Sequence, residues 1–95
     1  MTTSPGYWMH ETGGKLSPAM QRYLLRKPLS DEDIALIRAY LRQWIMAPVW
    51  DANPHADNDD RWALGELRRH IDDLMSREVI DCWIDWAIDE GFDPL

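Results

Sequence analysis

The stretch Arg77-Glu78-Val79-Ile80-Asp81-Cys82-Trp83-Ile84-Asp85-Trp86-Ala87-Ile88-Asp89-Glu90 decides the fold of this chain. Its acidic residues Glu78, Asp81, Asp85 and Asp89 recur at steps of three and four, which on a helix gathers them into one narrow stripe. Val79, Ile80, Cys82, Trp83, Ile84, Trp86, Ala87 and Ile88 cover most of the remaining circumference. A helix this apolar cannot lie alone on a surface. It reads as a core helix with a charged edge, capped by Ser76, running from 77 to 90 and closed by Gly91 as a left-handed terminator.

Upstream, the same period recurs. Leu64, Leu67, Ile71, Leu74 and Met75 form the seam of a helix expected over 59–75, with Asp59 and Asp60 in its first turn where the helix dipole favours negative charge. Arg68 with Asp72, and Arg69 with Asp73, are spaced to pair across one turn. The seam continues nearly in phase through Val79, Cys82 and Trp86, but Ser76 favours a break over one long bent helix. Ser30 caps a helix over 31–46 with Asp31, Glu32 and Asp33 in its first turn, and Ile34, Ile37, Tyr40, Leu41, Trp44 and Ile45 as its apolar face. Pro48 stops it, and residues 47–57 read as a connecting loop. A helix over 18–26 follows from Ser17 as N-cap and Pro18 at the first helical position, and Lys27-Pro28 ends it. Residues 1–16 read as an ordered arm that docks Tyr7, Trp8 and Met9 on the helices. No strand-like alternation and no internal repeat is present. The fold expected is therefore all-α, a single domain over 1–95 built as a bundle of about four helices.

Ninety-five residues support one core only, and six Trp supply much of its apolar area. The single Cys82 cannot close an intramolecular disulfide and is expected as a buried thiol. Residues 1–6 lack the basic flank and apolar run of a signal peptide, and no stretch reaches the length of a membrane span, so a cytoplasmic location is expected.

The net charge of −7 is unevenly placed. Residues 1–47 hold six Lys/Arg against four Asp/Glu, and residues 48–95 hold four against thirteen, giving +2 and −9. Such a chain resists nonspecific binding to phosphate, so direct nucleic-acid binding is not expected, and its acidic half suits a basic protein partner.

No motif of reaction chemistry stands out. His10, His55, His70 and Cys82 have no paired metal-ligand spacing, so no metal is expected. Gly13-Gly14-Lys15 lacks both the glycine and the hydroxyl residue of a phosphate loop, so no cofactor is expected. Asp81, Asp85 and Asp89 bordering solvent should stay ionised, which leaves no residue assigned as catalytic. Trp44, Trp83 and Trp86 fall on apolar faces and read as core. Trp62 lies away from its helix seam and Trp50 sits in the preceding loop; either the arm or the 47–57 loop covers Trp62, or it anchors an interface.

The candidate partner-binding residues are thus Trp50, Trp62, Glu78, Asp81, Asp85 and Asp89. The leading expectation is a non-enzymatic interaction domain that binds a basic protein or associates with itself. A second is a phage-type or anti-CRISPR-like inhibitor whose carboxylates mimic nucleic-acid phosphates, a resemblance in size and charge alone. A third is an enzyme whose site forms between subunits.

Overall fold

Local caps place the helices. The computed structural model describes residues 14–95, and the element order is α1 (Leu16–Leu24), α2 (Asp31–Ile45), a 3-10 turn at Pro48–Trp50, α3 (Asn58–Arg69), a second 3-10 turn at Ile71–Asp73, and α4 (Arg77–Asp89). No strand occurs among the described residues. Among the described residues the fold is all-α with four helices, as the periodicity predicts. Residues 1–13 of the expected arm lie outside the described residues, and Leu16 already belongs to α1.

At α2 the Ser30 hydroxyl accepts from the Asp33 amide at 3.1 Å, and the Asp33 carboxylate accepts from the Ser30 amide at 3.1 Å. This reciprocal box satisfies two amides that the helix leaves unpaired. Asp57 and Asp60 repeat it at α3, with Asp57 as the cap. Ser76 caps α4 by accepting from the Val79 amide. Gly91, at φ +91°, ends α4: its amide reaches the Ile88 carbonyl and the Phe92 amide reaches that of Ala87. That pattern is a Schellman close, and the buried Phe92 supplies its apolar contact.

Three boundaries differ from the expectation. α1 begins at Leu16 with Lys15 as its cap, not with Ser17, because Leu16 is buried. Pro18 is tolerated inside the first turn, where amides have no helical acceptor anyway. α1 also ends at Leu24, before Lys27-Pro28. Arg26 takes the left-handed conformation at φ 59°, and the Lys27 and Arg26 amides close on the Arg22 and Tyr23 carbonyls. α3 stops at Arg69, not 75. The tight turn that follows keeps Ile71 and Leu74 buried against the core while α4 leaves in a new direction.

The shortened α3 also removes the helical register that would pair Arg68 with Asp72 and Arg69 with Asp73. Arg68 instead forks onto Asp51 at 2.7 and 3.1 Å and donates to the Ile45 carbonyl at the end of α2. Asp72 pairs with Arg42, and Asp73 with His70.

The core sits around α2. Ile37, Leu41, Trp44 and Ile45 are buried and meet Met20 and Tyr23 of α1, Leu67 of α3, and Ile80 and Ile84 of α4 within one cluster. Two buried polar bonds fix its register: Trp83 donates to the Leu67 carbonyl at 3.0 Å, and Tyr40 to the Pro94 carbonyl at 2.6 Å. No described helix is long and apolar enough to cross a membrane.

Candidate protein-interaction surface

Helical geometry divides α4 into an inner and an outer half. Ile80, Ile84 and Ala87 are buried, which fixes the direction of the core. At about 100° per residue, Val79, Cys82 and Trp86 fall within about 60° of one another on the opposite side. Glu78, Asp85 and Asp89 lie within about 40° of one another on the adjoining strip. An apolar strip and an acidic strip therefore run side by side along the exposed face.

The apolar strip is concave. Val79, Cys82, Trp83 and Trp86 join His70, Asp73 and Leu74 in lining a cavity of about 260 Å³. Leu74 and Trp83 are buried, whereas Val79 is 40% exposed and neighbouring Met75 is 66% exposed. Cys82 is an exposed free thiol, contrary to the buried thiol expected from its neighbours, because its position points opposite Ile80 and Ile84. Trp86 is only half-buried, not a core residue, and its indole stands 6.5 Å from the His70 ring.

The four stripe carboxylates separate by their partners. Asp81 accepts from the Tyr23 hydroxyl at 2.5 Å and takes both Arg26 guanidinium nitrogens at 3.1 Å. Arg26 holds the Asp81 carboxyl below its ordinary value, and burial pushes the Tyr23 hydroxyl up. A carboxyl kept ionised in this way is unsuited to act as a general acid. Glu78, Asp85 and Asp89 are exposed and enter no ion pair among the described residues, although Asp85 lies near enough to feel the Arg26 charge. Asp81 is thus a strut between α1 and α4, and the other three carry the free charge.

This division gives a paired prediction. Asp81→Asn should cost about 1–2 kcal/mol of stability by releasing Arg26 and weakening the tie to Tyr23. Asp85→Asn should change stability by less than about 0.5 kcal/mol. Urea melts of the two variants check the ordering.

The aromatic candidates separate as well. Trp50 is half-buried, with its ring 5.0 Å from that of Trp44 and 5.1 Å from that of Phe92. Its indole donates to the Trp44 carbonyl at 2.8 Å, so it closes the α2 end of the core. Trp62 is 64% exposed on α3, uncovered by the 47–57 loop, and makes no hydrogen bond or ring contact among the described residues.

The concavity beside α4 escapes sequence reasoning because it needs the turn at 71–73 to bring His70, Asp73 and Leu74 alongside Val79 and Trp86. One local signal was present. α4 has no basic residue in its last turn and closes on Asp89 and Glu90, against the negative end of the helix dipole. Negative charge there lowers helix stability by about 0.3–1 kcal/mol per residue, which marks a position whose identity folding alone does not favour.

Among the described residues no three of His, Cys, Asp and Glu are gathered to hold a metal ion. No protein family, curated protein or solved structure matches the chain.

Proposed function

We propose that this chain is an acidic, cytoplasmic, non-enzymatic interaction domain that binds a basic protein partner through the outer face of α4. The observation that supports this reading is the adjacency on α4 of an apolar groove and three unpaired carboxylates. The groove provides desolvated contact, and the carboxylates provide long-range attraction and select against acidic partners. An exposed free thiol at Cys82 fits a reducing compartment. Trp62 on α3 extends the apolar surface available to a partner.

Between a basic partner and self-association, charge favours the former. A two-fold contact through this face would set Glu78, Asp85 and Asp89 against their own copies on a chain of net charge −7.

The test exploits the dipole. Asp89→Lys should raise the stability of the free protein by about 0.3–1 kcal/mol, because a cation replaces an anion at the helix C-terminus. The same change should weaken partner binding. Affinity capture from lysate with wild-type and Glu78→Lys/Asp85→Lys/Asp89→Lys protein should retain basic proteins only on the former, and identical retained sets would reject the proposal. Elution at rising salt separates this reading from phosphate mimicry: a contact seated in the groove persists, whereas purely electrostatic binding falls steeply.

A further inference from the structure

The outer face of α4 constrains the conformation of its occupant as well as its charge. Resting on the interaction reading above, we infer that the segment docked there is a basic amphipathic helix of the partner.

The lining of the groove is the first reason. Leu74 and Val79 offer no hydrogen-bonding side-chain group, Cys82 offers a weak thiol donor and Trp86 a single indole N–H, and the Trp83 indole N–H is already given to the Leu67 carbonyl. His70 and Asp73, the polar residues of the lining, face each other at 3.2 Å. An extended segment laid in this groove presents an N–H and a C=O at every residue, more than one indole N–H can meet, and each one buried without a partner costs about 1–3 kcal/mol. No sheet edge among the described residues is present to take them up. A helix arrives with its backbone bonds already made and presents only side chains.

Spacing is the second reason. From Val79 to Trp86 the apolar strip runs two turns, about 10 Å, which matches anchors at i, i+3 or i+4, and i+7 on a facing helix. The acidic strip from Glu78 to Asp89 runs about 16 Å alongside it. A partner helix with Lys or Arg along one flank of its apolar face therefore meets both strips at once. Charge complementarity selects this occupant over an acidic or neutral helix, and over a second copy of the chain.

The experiment is selection of peptides of ~14 residues, about the length of α4, from a random display library on the full-length chain. Enrichment of Lys/Arg beside apolar residues at steps of three and four, without central proline, is the expected result. A synthetic peptide carrying the selected sequence should gain helical circular dichroism on binding. Val79→Lys should weaken it by about tenfold or more, with an unchanged unfolding midpoint because Val79 is not a core residue.

Enrichment of basic peptides with alternating or proline-containing patterns would overturn the helical occupant and leave the basic-partner reading intact. Enrichment of acidic peptides, or none, would overturn both. A wild-type dimer that Val79→Lys dissociates in sedimentation would assign the face to a second copy. Tighter peptide binding by the full-length Trp8→Ala variant would assign it to the chain's own N-terminal segment. Either of these last two results overturns the inference.

Discussion

Trp83→Ala should lower the free energy of unfolding by about 3–5 kcal/mol, the range for truncating a buried aromatic ring. Trp83 is buried within the core cluster, and its indole N–H reaches across from α4 to the Leu67 carbonyl of α3. Truncation removes that bond, opens a void among the helices and takes away the floor of the groove beside Val79 and Trp86. Natural domains are stable by about 5–15 kcal/mol, so the variant should be marginal or partly unfolded at 37 °C. Urea denaturation followed by circular dichroism gives the answer as a large fall in midpoint with little change in slope. Trp83→Phe keeps much of the volume and should cost about 1–3 kcal/mol, chiefly the orphaned carbonyl and the residual void. A loss below about 1 kcal/mol in the alanine variant would mean that α4 is not docked through this ring.

The second large effect belongs to Asp33, the buried charged residue in the first turn of α2. Its carboxylate takes the Arg22 guanidinium in a fork at 2.6 and 3.0 Å and also accepts from the Ser30 amide. The Arg22 hydrogen bond is the main cause that brings the Asp33 pKa from its ordinary 3.8 to about 2, with burial opposing. A carboxyl whose pKa is depressed in the folded state stabilises that state fully above its unfolded pKa. The contribution then falls as pH drops from about 4 through about 2. Its size is on the order of 1–2 kcal/mol, below the full linkage value because Arg22 is partly exposed and screened.

Asp33→Asn should therefore cost about that much at pH 7 and flatten the stability profile between pH 4 and 2 relative to wild type. Asp33→Ala should cost about 1 kcal/mol more, since it also loses the reciprocal cap. Thermal melts at half-unit pH steps make the comparison. Parallel curves for wild type and Asp33→Asn would place the acid sensitivity elsewhere.

What the chain announces in advance is local. Ser30-Asp31-Glu32-Asp33 predicts the start of α2 because a hydroxyl three residues before a carboxylate satisfies both amides regardless of what packs nearby. Ser76 and Gly91 do the same for the two ends of α4. Where the expectation slips, a distant contact decides. α1 opens two residues early to bury Leu16, and it closes on Arg26 in a left-handed conformation that glycine ordinarily supplies, while the Arg26 side chain reaches Asp81. The boundary of α3 slips for a related reason: an apolar seam in phase from Leu64 to Trp86 does not record where the backbone bends, only that burial continues on both sides of the bend.

The candidate surface follows the same division. Periodicity alone gathers Glu78, Asp81, Asp85 and Asp89 on one side of α4 and makes them equivalent. Tertiary structure breaks that equivalence, because Arg26 and Tyr23, 55 and 58 residues away in sequence, reach Asp81 and leave the other three unpaired. It likewise turns Trp50 into the core and leaves Trp62 in solvent. By itself, then, the sequence determined four helices, the caps of α2 and α4, an indole-rich core and an acidic C-terminal half, since caps and apolar period act within a few residues. Only the folded arrangement decided which carboxylates remain free and where an apolar groove adjoins them, since ion pairs and concave surfaces depend on how distant segments meet.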